Sequence, residues 1–258
     1  MTATALHIVR ETALRNWRKT LRRPVPLSFS FVQPLLWLLT FGFLFDRIAQ
    51  LGPEYVGLRY FDVLLPGVCC MTVLFGASQA GINLVRDLQT GFVQRLVRAS
   101  AHPGWMLAGM IGADVVRLLA QAAVVALLGL ALGARLSPSV PGTVLALAGL
   151  AVFAFAWSAL SCSIALSAKS QEAMAVFVHV SNMPLLFTST ALVPPRQMPD
   201  WLETVARWNP LSLVASALRE ALLLARIPDA AALLVPLALL GTVLFAIARR
   251  AMSRAAME

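Results

Sequence analysis

Six long apolar stretches run through this chain, at about 28–45, 61–85, 105–133, 142–168, 173–193 and 230–248. Crossing the hydrocarbon core of a bilayer takes about 20 apolar residues in a helix. Strand-type alternation is absent, which removes a membrane barrel. Lipid offers no partner to an exposed backbone, so each stretch must close its own hydrogen bonds as a helix. The sequence therefore predicts an all-α integral membrane protein with six transmembrane helices, read as one domain over 1–258. Composition agrees: 59% of the residues are hydrophobic and 13% charged, whereas soluble domains run near about 45–50% apolar and about 25% charged.

The net charge of +9 would raise nucleic acid as a partner for a soluble protein. Here the basic residues cluster between apolar stretches and no aromatic–basic platform accompanies them, so they read as topology signals. One set of connections holds 13 Lys and Arg and the other holds 7, with Arg117 inside the third stretch. The richer set includes both ends of the chain, which predicts both termini in the cytoplasm of a cell with this protein in its inner (plasma) membrane. A basic segment precedes the first apolar stretch and no small-residue cleavage site follows, so no cleavable leader is expected. Cys69, Cys70 and Cys162 lie inside apolar stretches, without metal-binding spacing, and read as small hydrophobes.

Residues 5–23 form an amphipathic pattern. Leu6, Val9, Ala13, Leu14, Trp17 and Leu21 share one side of a helical wheel, and Glu11, Arg15, Arg18, Lys19, Arg22 and Arg23 share the other. This predicts an interfacial helix lying on the cytoplasmic membrane surface, with Trp17 at headgroup depth. Pro24 and Pro26 would end it and turn the chain into the bilayer. The connection 86–103 is similar in character: Phe92, Val93, Leu96 and Val97 would face one way from a short helix, and Gln94, Arg95 and Arg98 the other, between Gly91 and Pro103. The pattern admits two readings, a docking knob for a cytoplasmic partner or an interfacial helix that serves topology alone.

Residues 194–226 are too polar to span, carrying Arg219 and Glu220. Asp200 followed by Glu203 reads as a capping box, and Trp201, Leu202, Val205 and Trp208 share one face of the helix it would start. Asn209-Pro210 reads as the cap and first residue of a second short helix. Pro199 precedes the pair, and the whole reads as a re-entrant helical hairpin at the extracellular face, its tryptophans in the interface. Within the apolar stretches, Asp114 and Arg117 stand three residues apart. Mutual pairing is the simplest account of two such charges, and a place on a substrate path is the sharper one. Asn83, His179 and Asn182 read as interhelical hydrogen-bonding residues.

No GxxxxGK[ST] loop occurs, and neither of the two lysines, Lys19 and Lys169, follows a glycine. Hydrolysis of ATP by this chain is therefore not expected. HExxH and GxSxG are absent as well, which weakens an enzyme reading.

One ordered set of short motifs carries a resemblance. A basic amphipathic segment leads six spans, the second of which opens with Phe61-x4-Pro66-Gly67. The next connection carries Asp87-x3-Gly91-x3-Arg95-Leu96 and ends in a proline. Later come Met198-Pro199-x-Trp201-Leu202, Asn209-Pro210-Leu211-Ser212 and Ala217-Leu218-Arg219. The set resembles the permease subunit of type-2 ABC transporters, in particular the drug and antibiotic export branch that includes daunorubicin-resistance permeases. The run Arg86-Asp87-Leu88-Gln89 departs from the acidic–Arg–acidic pattern frequent in that family.

The resemblance implies half of a transporter, a permease pairing with a second copy above two cytoplasmic ATPase subunits that bind ATP and magnesium. It implies a coupling role for 86–103, with Asp87, Gly91, Phe92, Arg95, Leu96 and Arg98 meeting the ATPase. The amphipathic segment, with Arg15, Trp17, Arg18 and Arg22, becomes a connecting helix. The hairpin, with Pro199, Trp201, Trp208, Asn209 and Pro210, closes the exit. The implied cargo is a hydrophobic or amphipathic compound. Export of a polysaccharide or lipid-linked glycan is the alternative, and a secondary transporter without an ATPase is a third reading.

Overall fold

The computed structural model describes residues 10–15, 24–45, 53–93, 95, 103–137 and 139–255. Among them every regular element is helical. Residues 10–15 are helical, and eight longer helices follow: α1 (Pro24–Phe45), α2 (Tyr60–Gln89), α3 (Pro103–Ala131), α4 (Val140–Ala168), α5 (Gln171–Phe187), α6 (Asp200–Trp208), α7 (Pro210–Leu222) and α8 (Ile227–Ala255). Single 3₁₀ turns sit at Pro53–Tyr55 and Pro195–Gln197.

Helix α2 is the centre of the bundle. It is apolar around its whole circumference, the pattern of a helix with no solvent face. In keeping with that, 94% of its most apolar window is buried, and it packs against α1, α3, α4, α5 and α7. Helices α3 and α4 flank it, α8 packs on α4, α7 and α3, and these three leave much of their apolar surface outward, as at Leu127, Val144 and Leu239. An outward row of leucine and valine is the surface a bilayer accepts. Four helices are long and apolar enough to cross a membrane: Tyr60–Gln89, Gly104–Ala131, Val140–Ala168 and Asp229–Ser253. Phe31–Phe45 of α1 is a shorter apolar helix, joined to the bundle by Trp37, Phe41 and Phe45, whose successive rings lie 4.9 and 5.6 Å apart.

The fifth apolar stretch behaves differently from the others. Helix α5 has 17 residues and stops at Phe187, and 188–194 form tight turns capped at Thr188. Seventeen residues rise about 25 Å, a little less than the hydrocarbon core. The cap at α6 also differs from the capping-box expectation. Pro199 occupies the cap position, Asp200 is the first helical residue, and no side chain caps the helix. Glu203 instead pairs with Arg207 one turn on, at 2.8 Å, which spends the carboxylate the box would have needed.

Connections between helices sort the bundle into two ends. At the Asp62 end lie the α3–α4 connection, the turn 188–194 and the α6–α7 hairpin. At the Asp87 end lie residues 10–15, the 169–170 link and the start of α3, where Gly104 sits under the Arg249 side chain of α8.

Candidate functional site

Three polar loci interrupt the apolar packing, one at each end of α2 and one midway. At the Asp87 end, α2 runs out into Thr90, and Gly91 follows with φ +67°, a left-handed conformation suited to glycine. Helical turns then resume at Phe92. Arg15, one turn beyond buried Thr12 on the N-terminal helical segment, spreads its guanidinium over this bend. Its Nη1 donates to Asp87 Oδ2 at 3.2 Å and its Nη2 to Oδ1 at 3.4 Å. The same guanidinium lies 3.3 Å from the centre of the Phe92 ring, a cation–π stack. Asp87 is buried, Arg15 is about one-third exposed, and Val93 tucks into the bundle. Arg95 points outward and donates to the Thr90 carbonyl at 3.2 Å.

The structure thus brings together Arg15, Asp87, Gly91 and Phe92, which lie 72 residues or more apart from the N-terminal segment in sequence. The wheel placed Arg15 on the polar side of an interfacial helix; the structure turns that side toward Asp87, because the buried carboxylate is a stronger partner than water. Leu96, Arg98, Trp17, Arg18 and Arg22 lie outside the described residues.

Midway, Ser78 of α2 is saturated as a hydroxyl can be. Its oxygen accepts from Trp157 Nε1 of α4 and from Asn182 Nδ2 of α5, each at 2.9 Å, while its proton has the Leu74 carbonyl at 2.9 Å. One turn on, Ser161 donates to the Ser78 carbonyl at 2.7 Å and accepts from Gly81 N at 3.1 Å. Gly81 is what allows this, since a Cβ there would lie 2.5 Å from the Ser161 carbonyl oxygen. Asn182 is interhelical, as its position in an apolar helix suggests. His179 is not: its Nδ1 lies 2.9 Å from Ala175 O of its own helix, and the ring is exposed on the outward face of α5. Asn83 is half-buried.

On α3, Arg117 Nε lies 3.3 Å from Asp114 Oδ1, and Arg117 Nη2 donates to the Gly76 carbonyl of α2 at 3.1 Å. Both side chains are about one-seventh exposed. The three cysteines are free thiols buried in the packing.

The Asp62 end is the most heavily tied. Asp62, fully buried in the first turn of α2, accepts from Arg59 N at 2.9 Å and from Arg135 N at 2.7 Å. Arg59 also bonds the carbonyl of Gly133, a glycine with φ +97°. Tyr60 donates to Leu192 O at 2.6 Å. Arg219 of α7, 2% exposed, donates through Nε to Val63 O at 2.9 Å and through Nη2 to Ala191 O at 3.0 Å. Gly67 makes room for that contact, because a Cβ on it would lie 1.9 Å from Ala191 O.

Asn209 caps α7, its Oδ1 accepting from Leu211 N at 2.8 Å with Pro210 at the first helical position. Its amide donates to Leu185 O at 2.7 Å and Thr188 Oγ1 at 3.0 Å, and Ser212 Oγ accepts from Thr190 N at 2.9 Å. Pro199 opens α6, and Trp201 and Trp208 are 68% and 85% exposed on its outer side. Sequence reasoning did not single out Asp62, Tyr60, Ser78, Trp157 or Ser161. The one available signal was a carboxylate at the start of a span; a serine or tryptophan in an apolar run carries none.

No group of three or more potential metal ligands occurs among the described residues. The geometry joins helices into an apolar bundle with a clamped bend at one end. That is the build of a multi-pass membrane protein. The chain belongs to the ABC-2 type transporter family, which it matches over residues 9–223.

It is 32% identical over 200 residues to the daunorubicin resistance ABC transporter permease protein DrrB1 of Streptomyces coeruleorubidus, covering 76% of this chain and 68% of that one. It is 30% identical over 204 residues to ycf38 of Cyanophora paradoxa, a chain that carries a transport-permease name, covering 77% and 68%. A DrrC chain of Mycobacterium tuberculosis, named for doxorubicin resistance, is 23% identical over 190 residues, covering 74% and 67%. The family is one of ABC permeases, which partner ABC ATPase subunits.

Proposed function

We propose that this chain is the membrane-spanning subunit of an ATP-driven exporter that moves a hydrophobic or amphipathic compound out of the cell. The observation that carries the reading is the 32% identity to a permease named for daunorubicin resistance, spread over three-quarters of the chain. In this reading α1, α2, α3, α4, α5 and α8 cross the membrane, and α6–α7 form a re-entrant hairpin at the outer face. The surplus of Lys and Arg at the Asp87 end supports a cytoplasmic position for that end and for both termini, in the inner membrane.

A homodimer of the chain would enclose the path, with two ATPase subunits below it supplying bound ATP and magnesium. The bend after α2 is the coupling element, built from Asp87, Gly91, Phe92, Arg95, Leu96 and Arg98. Nucleotide-driven closure pushes this bend. Arg15 grips both Asp87 and Phe92, so the N-terminal helix, with Trp17, Arg18 and Arg22 in the interface, moves with it. Alternating access follows from that push along α2. The Asp114–Arg117 pair serves packing of α3 on α2 in this scheme, since its second bond goes to the Gly76 carbonyl.

The test has two arms. Native extraction is expected to bring down an ABC ATPase with the chain, and its absence sinks the exporter reading. In proteoliposomes loaded with that complex, Arg95→Glu with Leu96→Asp is expected to leave insertion intact and abolish ATP-dependent daunorubicin uptake. Uptake at the wild-type rate removes the coupling role.

A further inference from the structure

Arg219 is the one cation buried among the described residues, and what holds it is not an acid. Both its hydrogen bonds run to backbone carbonyls, Val63 O and Ala191 O, and its neighbour Glu220 pairs instead with Arg226 at 3.9 Å. Its place in the last turn of α7 lets the helix dipole offset part of the charge. A buried cation without a carboxylate still carries a desolvation cost, and an apolar side chain of similar volume often serves stability better. The question is what a guanidinium does here that methionine would not.

The carbonyls it joins belong to different bodies. Val63 is in α2, and Ala191 is in the turn that follows α5. That turn is already fastened to α7 by Ser212 and Asn209. Arg219 and Tyr60, which reaches Leu192 O, add hydrogen bonds that fasten the turn and hairpin to α2. A guanidinium fork reaches two acceptors at once with fixed geometry, and a lysine reaches one. Gly67 brings α2 close enough for the fork to close. From Val63 to Asp87, α2 continues as one helix for about 36 Å, and its far end is the clamp of Arg15 on Asp87.

We propose that Arg219 is a positioning residue for export: it makes the α6–α7 hairpin ride on α2, so that displacement at the Asp87 end arrives at the hairpin undiminished. The inference rests on the exporter reading and assigns the hairpin's motion to a named residue.

The experiment uses the intact permease–ATPase complex. Daunorubicin transported per ATP hydrolysed and thermal melting are measured for wild type, Arg219→Met, Arg219→Lys and Tyr60→Phe. Spin labels at Val56→Cys, 84% exposed just before α2, and Trp208→Cys, 85% exposed on the hairpin, report whether the two bodies move together with and without nucleotide. The expected result is that Arg219→Met melts at or above wild type while transport per ATP falls about tenfold, and that the label distance, sharp in wild type, becomes broad. Arg219→Lys should recover part of the ratio. A merely structural arginine would lower melting and yield and leave the ratio unchanged.

If Arg219→Met does not accumulate, Arg219→Lys and Tyr60→Phe decide: a reduced ratio at unchanged melting supports the assignment, and an unchanged ratio in both overturns it. Normal ratio and a sharp label distance in Arg219→Met overturn this inference and leave the exporter reading standing. Failure of any ATPase to copurify with wild type overturns both.

Discussion

Gly67→Ala is the substitution whose cost the structure defines most sharply. The added Cβ would lie 1.9 Å from the Ala191 carbonyl oxygen, 2.7 Å from its carbon and 3.1 Å from its Cα. All three are backbone atoms, so no side-chain rotation relieves the contact. Reaching even 3.0 Å requires the 188–194 turn and α2 to part by about 1.1 Å. Across that seam Arg219 Nε sits 2.9 Å from Val63 O of α2, and Tyr60 Oη sits 2.6 Å from Leu192 O. A separation of that size carries the first bond beyond hydrogen-bonding range. Overpacking costs about 1–3 kcal/mol, and a buried donor that loses its acceptor costs about 1–3 kcal/mol more.

The expected loss is therefore about 2–6 kcal/mol, read as a fall of roughly 10 °C in the melting of the purified chain. Gly112→Ala is the control. It changes a glycine of α3 with nothing within 4 Å of its new Cβ, and should be neutral or mildly stabilising through reduced backbone entropy. If Gly67→Ala melts with Gly112→Ala and wild type, the close approach of the turn to α2 does not exist and the account of Arg219 loses its footing.

Reversing the clamp is expected to be reciprocal: Arg15→Asp and Asp87→Arg each lower melting by about 1–2 kcal/mol for this partly exposed pair, and the double reversal recovers about half, so additive losses would dissolve the pair. Ser78→Ala removes the acceptor of Trp157 and Asn182 and should cost about 1–2 kcal/mol at the roughly 0.6 kcal/mol average of intramembrane bonds, with up to about 1.7 for one of them; unchanged melting and unchanged tryptophan emission would discount the network. Asp114→Ala should destabilise more than Asp114→Ala with Arg117→Ala, the double variant recovering only in part because the Gly76 bond goes with Arg117; equal melting of the two would leave the carboxylate without a pairing role.

What the sequence made legible follows from what periodicity and charge can express. Apolar length located α2, α3, α4 and α8, because length in lipid is a one-dimensional property. Asn209-Pro210 announced the start of α7, because capping is local and the cap bond reaches only to Leu211. The end of α5 was less legible. Leu185 through Val193 are apolar or small and continue the pattern of a span, and what ends the helix at Phe187 is contact with Asn209 and Ser212 of a later segment. Asp200 failed as a cap for a comparable reason, since Pro199 already holds the cap position and Glu203 has Arg207 within reach. The direction of Arg15 was out of reach altogether. A wheel assigns a residue to a side, but which side meets the bundle depends on Asp87, far along the chain.

Three of the short motifs that carry the family likeness look unrelated in sequence and meet in space. Pro66-Gly67 lies on α2, Asn209-Pro210-Leu211-Ser212 opens α7, and Ala217-Leu218-Arg219 closes it. In the fold Gly67 faces Ala191, Arg219 bonds Ala191, and Ser212 holds Thr190 next to it. Each motif therefore touches the same turn from a different direction. The turn itself, Thr188 to Val193, has no distinctive composition, because its job is to present carbonyls and amides that others hold. That division explains why individually weak motifs, kept in order, identify this architecture better than any one of them: three of them describe a single joint. It also explains the position of the proline. Pro66 has no amide to give, so the Asp62 carbonyl is released from the helical ladder of α2 at the end where α2 is held by side chains. The break lies one turn from Asp62, inside the joint, and the remaining turns to Gln89 are uninterrupted by proline.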